Sequence, residues 1–244
     1  MCRFDELERG LNMNIKELTI LVKLKKTIKY QDVPESLANV LNSCFLQSDK
    51  YKRIHEEHDF KYYCYSSLYP TEKGGVYLAN EIYSFKLRTL NFELADMFSN
   101  GLINQPNDYF ILLNIDTIVK NQLGPIKSLY TVTPAVITQK DKNWICNDND
   151  IEEVKKKIIK NTTRKYNYFM GISIDDYEFI EEVKLLNKVP VIFNYKGGKI
   201  LANKFLITLK QDRFSQELSF MLLGTGLLEK NSLSFGFCTI GRRG

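Results

Sequence analysis

Apolar and polar residues alternate with a period of two over Lys16–Leu24, the spacing of a half-buried strand. Asp32, Pro34 and Glu35 then mark a helix start. Leu37, Val40, Leu41 and Cys44 continue it at helical spacing. A short second helix is predicted from Ser48 to about Glu57. Strands follow near Lys61–Leu68 and Val76–Leu87, then a helix from Asn91 to Asn100 and a strand at Tyr109–Ile115. Gly124-Pro125 interrupts the pattern, and the same order then returns. A strand is predicted over Lys127–Gln139. A helix runs from about Asp150 to Lys165, acidic at its start and basic at its end as the macrodipole prefers. Strands lie near Val189–Tyr195 and Lys199–Leu209, a helix from Asp212 to Leu223, and a last strand near Phe235–Ile240. Each half reads strand, helix, two strands, helix, strand, which is the ferredoxin-like βαββαβ unit. The predicted fold class is therefore α+β, with two tandem ferredoxin-like (RRM-like) domains over 1–124 and 125–244.

A short internal repeat supports the duplication. Lys73-Gly-Gly-Val-Tyr-Leu-Ala-Asn80 agrees with Lys196-Gly-Gly-Lys-Ile-Leu-Ala-Asn203 at six of eight positions, at an offset of 123. Both copies centre on Gly-Gly between alternating apolar stretches, the signal of a turn that needs positive φ. At the same offset Gly101 matches Gly224, and each is expected to close a helix in the left-handed conformation.

Composition narrows the function classes. The 244 residues are 44% hydrophobic and 26% charged, which excludes a disordered chain. No apolar run approaches the ~18 residues of a membrane span, so no membrane association is expected. The start MCRFDELERG has no apolar signal core, so secretion is not expected. Five dispersed cysteines, at 2, 44, 64, 146 and 238, fit neither a disulfide framework nor a zinc site and suit a reducing cytoplasm. Residues 1–124 carry 15 Lys+Arg against 16 Asp+Glu, and residues 125–244 carry 19 against 13. The positive excess sits in the second half, which suits a polyanionic partner.

Two stretches can carry chemistry. The first is Gly224-Thr-Gly226-Leu-Leu-Glu-Lys230-Asn231-Ser232-Leu-Ser234-Phe-Gly236. Glycines let backbone amides approach a phosphate closely, and Lys230, Asn231 and Ser232 add charge and donors. The alternative is structural: Gly224 caps a helix and Gly236 marks a bulge. The second stretch, Tyr51 to Tyr65, holds the chain's two histidines, His55 and His58. They lie three apart on a predicted helix end, with Tyr51 four before His55 and Lys61 following at the next strand. His-Glu-Glu-His lacks the spacing of a zinc helix, and no metal or other cofactor is expected. One alternative is a solvated, mixed-charge helix end. The other is a general acid/base His55 beside a cationic Lys61, suited to a phosphodiester.

Together these features resemble the CRISPR-associated endoribonucleases that cut precursor CRISPR RNA, members of the RAMP superfamily. The resemblance rests on the doubled ferredoxin-like order, on Gly224-Thr-Gly226 followed by Ser232-Leu-Ser-Phe-Gly236, and on His55-Glu56-Glu57 with Lys61 six residues after the histidine. Ser234 stands where the family usually has glycine, and the predicted first helix carries no tyrosine, which leaves Tyr51 as a substitute and His58 as a secondary candidate. The resemblance implies a cytoplasmic, metal-independent endoribonuclease. His55 would move the proton, and Lys61 would stabilise the transition state. Gly224, Gly226, Lys230, Asn231, Ser232, Ser234 and Gly236 would hold the RNA. Its partners would be CRISPR repeat RNA and an effector complex, and the protein would be a monomer or homodimer. A non-cleaving RNA-binding subunit of the same superfamily is the alternative. A ferredoxin-like small-molecule enzyme is a third reading, against which a flat basic cleft would count.

Overall fold

The computed structural model describes residues 13–46, 51–52, 60–122, 124–139, 142–143 and 150–241. The first half runs β1 (Ile15–Leu24), β2 (Ile28–Lys29), α1 (Val33–Phe45), β3 (Tyr63–Tyr65), β4 (Val76–Tyr77), β5 (Ile82–Thr89), α2 (Phe92–Asn104) and β6 (Phe110–Lys120). The second runs β7 (Ser128–Thr131), β8 (Thr138–Gln139), β9 (Lys142–Asn143), α3 (Ile151–Met170), β10 (Ile180–Leu185), β11 (Val191–Tyr195), β12 (Gly198–Ala202), β13 (Phe205–Leu209), α4 (Arg213–Thr225) and β14 (Cys238–Ile240). The sheet orders are β3-β5-β1-β6 and β10-β13-β7-β14, antiparallel throughout. Numbered by their place in each unit, both read 2-3-1-4, so the fold is two ferredoxin-like units. No helix among the described residues is long and apolar enough to cross a membrane.

Alternation along β1 explains how the units meet. Leu18, Ile20, Val22 and Leu24 point to α1 and α2 and share a core with Leu37, Leu41, Phe45, Leu94 and Phe98. The opposite parity faces the second unit. Ile15 packs, with Leu90, into the core of Val154, Ile158, Leu218 and Leu222. Gly224 lies against it inside α4, where a Cβ would stand 2.8 Å from Ile15 Cγ1 and 3.2 Å from Leu90 Cδ2. Glycine there serves close packing between the units, not the left-handed cap expected from the sequence. Gly101 likewise lies within α2. The caps lie elsewhere: Asn91 accepts the amides of Glu93 and Leu94, Asp212 accepts that of Ser215, and Gly171, at φ 66°, closes α3.

Two further expectations are corrected. The second strand of the second sheet is β10, not Val189–Tyr195. The β10 pairing shifts register between Ile180 and Glu182, so its inward residues break the period of two, and as an edge strand it leaves Glu181, Glu182 and Lys184 exposed. Residues Val191–Ala202 instead form a separate hairpin, β11–β12, that turns through Lys196 and Gly197 at φ 47° and 74°. Asp32 makes no side-chain cap to α1. Its carboxylate accepts from Asn194 Nδ2 at 2.7 Å, while Glu35 accepts the Lys196 amide at 3.2 Å, so this acidic pair docks the hairpin.

A charged cluster completes the seam. Glu17 is fully buried on β1. Its carboxylate meets Arg88 Nε at 2.6 Å, Lys86 Nζ at 2.9 Å and Lys120 Nζ at 3.4 Å. Burial raises its pKa, but the three cations outweigh that and hold it below the ordinary carboxylate value. Arg88 in turn donates to the carbonyls of Leu223 at 3.3 Å and Cys238 at 2.6 Å, both in the second unit.

Candidate active site

The tail after α4 is a tightly folded loop. Between residues 226 and 236 five residues have positive φ: Gly226, Leu228, Lys230, Ser234 and Gly236. A Cβ on Gly236 would stand 2.1 Å from the Leu227 carbonyl, and one on Gly226 would stand 2.7 Å from Asn231 Nδ2. Only glycine fits either place. Asn231 ties the loop across itself, donating to the carbonyls of Leu227 and Phe235 at 3.0 Å each.

The other face of Asn231 meets Lys165, which projects from α3. Lys165 is 5% exposed. Its Nζ donates to Gly226 O at 2.9 Å, Leu228 O at 3.2 Å and Asn231 Oδ1 at 2.8 Å. All three acceptors are neutral oxygens, and desolvation brings the lysine pKa down to about 8. Sequence reasoning missed this residue by treating it as the basic end of a solvated helix. The signal was present in the spacing, because Val154, Ile158, Thr162 and Lys165 fall on one buried face.

Strand β3 of the first unit lies along this loop. Cys64 Sγ approaches Gly224 O at 3.4 Å, and Tyr65 Oη donates to Ser232 O at 3.2 Å. Tyr62 Oη donates to the Lys165 carbonyl at 3.1 Å. Tyr62 has φ 48°, an unfavourable conformation for an aromatic residue. The kink re-aims the chain between Tyr63 and Lys61. Lys61 is half-buried, with Nζ 5.9 Å from the Phe45 ring centroid, and desolvation lowers its pKa.

These elements enclose a cleft of about 240 Å³ lined by Lys61, Asn161, Lys165, Glu229, Lys230, Asn231 and Ser232, with Phe60 and Tyr62 at its side, so three cations face one carboxylate. The structure thus brings Lys61 together with three of the seven tail residues singled out from the sequence. The other four, Gly224, Gly226, Ser234 and Gly236, are buried packing positions outside the lining. The amides of Gly226 and Gly236 are already bonded to the carbonyls of Leu222 and Pro134, so they are not the phosphate donors expected. Tyr51 packs against the first core and does not line the cleft. His55 and His58 lie outside the described residues.

Two tandem ferredoxin-like units, with a cleft along their seam, define the class of fold. No family model matches the chain, and no curated protein matches it in sequence. Solved structures do. A RAMP protein that binds different RNA substrates aligns with a TM-score of 0.70 at 16% identity, covering 93% of this chain and 100% of the other. A CRISPR-associated protein Cas6 aligns at 0.68 and 17%, with coverage of 93% and 100%. A Cas6-related protein from Pyrococcus furiosus aligns at 0.66 and 16%, with coverage of 96% and 100%. The chain therefore has the fold of Cas6 and RAMP proteins along nearly its whole length.

Proposed function

We propose that this chain is a cytoplasmic, metal-independent endoribonuclease that cuts within the repeats of a CRISPR transcript. The observation that carries this reading is the cleft itself, where Lys61 of one unit meets Lys165, Lys230, Asn231 and Ser232 of the other. The Cas6-like fold supports it. In the reaction a ribose 2′-oxygen attacks the adjacent phosphorus, and the bond to the 5′-oxygen breaks. The products are a 2′,3′-cyclic phosphate and a 5′-hydroxyl.

His55 takes the 2′-hydroxyl proton or supplies one to the leaving oxygen, a role open to an imidazole because it can carry a proton on either ring nitrogen. Its assignment rests on its place six residues before Lys61 in the sequence. Lys61 faces the developing phosphorane charge, and its partial desolvation strengthens that attraction. Lys230, exposed at the loop corner, adds a contact to the RNA backbone. In this scheme residues 1–124 supply the reacting groups and residues 125–244 supply the basic wall. A non-cleaving RNA-binding subunit of an effector complex is the second reading, favoured by the likeness to a RAMP protein that binds different RNA substrates.

Incubation with labelled repeat RNA in excess EDTA tests the proposal. Cleavage should persist, should stop with a single deoxyribose 5′ of the scissile phosphate, and should fall by roughly 10²-fold or more in His55→Ala with binding retained. Binding without any cleavage would establish the second reading instead.

A further inference from the structure

Beside the cleft lies a second groove, of about 500 Å³, lined by Phe60, Arg164, Asn167, Tyr168, Gly171 and Ile172. Phe60 lines both, so the two adjoin at that residue. The groove is walled by aromatic rings. Tyr168 lies nearly parallel to Tyr62, at 24° with centroids 6.4 Å apart. Phe60 meets Tyr168 edge-on at 6.2 Å, and Tyr62 meets Phe169 at 5.1 Å. Tyr168 is nonetheless 56% exposed. Its inner side is braced by other rings, while much of its surface faces solvent.

Cationic groups accompany the rings. Arg164 stands with Cζ 5.8 Å from the Phe60 centroid. On α3, Lys160, Arg164 and Tyr168 follow one another at intervals of four, and all three are exposed. A row of two cations therefore runs along the helix to a braced aromatic platform at the mouth of the cleft.

We infer that Tyr168, backed by Phe60 and Tyr62, is a stacking platform for one unpaired nucleobase of the RNA strand whose phosphate occupies the cleft, with Arg164 and Lys160 contacting the neighbouring phosphates. The inference rests on the functional reading above and adds a base-binding subsite to it. Three observations favour a nucleobase over an apolar side chain. The exposed surface is an aromatic ring rather than an aliphatic pocket, and flat bases stack on such rings. A guanidinium sits beside it, which suits the phosphate that accompanies every base. The groove also adjoins, at Phe60, the cleft that the proposed reaction assigns to a phosphodiester. The platform does not read base edges, so it selects an unpaired nucleotide by its position rather than its identity.

Non-cleavable repeat RNA, carrying deoxyribose at the scissile position, serves as the probe. Single abasic substitutions are scanned along it against wild type, Tyr168→Ala and Tyr168→Phe. Stacking on one aromatic ring is worth about 5- to 100-fold in affinity. Tyr168→Ala should lose that factor, and Tyr168→Phe should restore it. One abasic position near the scissile phosphate should cost the wild type the same factor and cost Tyr168→Ala nothing further. Circular dichroism and thermal melting confirm that the variants are folded. If Tyr168→Ala binds like the wild type, or if every abasic position costs both proteins equally, the platform is overturned while cleavage stands. If the wild type neither binds nor cuts repeat RNA, the functional reading fails and the platform with it.

Discussion

Two buried charged groups lie at the seam, in opposite settings. Glu17 lies among three cations, and its neighbour Arg88 reaches two carbonyls of the second unit. Lys165 lies among three neutral oxygens. The first cluster is compensated, and its ionised form is favoured. The second carries a charge at a desolvation cost, which shows as a lysine pKa of about 8. The buried carboxylate has more counter-ions than it needs, and the surplus positive charge sits on Lys86 and Lys120, which are partly exposed to solvent. A cation bonded only to neutral dipoles gains from any anion brought near it. The contrast separates a group that joins the units from one that lines the cleft between them.

Breaking the compensated cluster should have the largest effect on stability. Glu17→Gln leaves Arg88 and its companions without their carboxylate. The expected loss is about 3–5 kcal/mol, the cost of removing one partner of a buried pair. Thermal melting at pH 7 should show a fall of about 10 °C or more. A fall of only a degree or two would mean that the cluster does not stabilise the seam. The wild type should also lose this contribution as pH drops through the lowered pKa of Glu17, whereas the variant has none to lose.

Lys165→Met tests the uncompensated charge by its pH dependence. The lysine pKa is lower in the folded chain than in the unfolded one, so the unfolded state binds more protons between the two values. Stability therefore rises with pH across that window and is lost again as pH falls through about 8. From pH 8 to 10.5 the wild type should gain about 3 kcal/mol relative to Lys165→Met, at ~1.4 kcal/mol per pKa unit. Urea denaturation of both proteins at several pH values measures the difference. Parallel curves would show that Lys165 is not the desolvated cation described above.

Ser234→Gly sharpens the comparison by relaxing the loop that Lys165 holds. Ser234 has φ 67°, is 2% exposed, and its Oγ has no hydrogen-bond partner among the described residues. Glycine removes both the left-handed strain and the buried hydroxyl. A gain of about 1–2 kcal/mol is expected, or roughly 2–6 °C in melting temperature. A destabilised variant would mean that the hydroxyl is bonded in solution.

The sequence made some of this legible and hid the rest for identifiable reasons. Lys16–Leu24 was readable because one face of β1 is buried and period two survives along it. The helix starts at Asn91 and Asp212 were readable because their caps are local. By contrast, β10 was hidden by its bulge and edge position. The glycine tail was recognised as special, but no local rule distinguishes a glycine that admits a ligand from one that admits Ile15 or Leu227 O. Lys61, singled out by its place after His55 and by the family resemblance, does line the cleft. Lys165 was missed because its three acceptors lie 61 to 66 residues further along the chain.

The wall of the cleft also has a schedule. Cys64 touches Gly224 across a separation of 160 residues, and Tyr65 touches Ser232 across 167. A ribosome adding about 5–20 residues per second needs about 10–30 s to bridge that gap. For that interval the first unit presents Ile15, Leu90 and β3 with nothing yet against them. The cleft is also incomplete, because the loop that Lys165 holds has not been made. On the function proposed above, activity would have to wait until both halves had left the ribosome and closed, so the nascent chain would be inert toward cellular RNA.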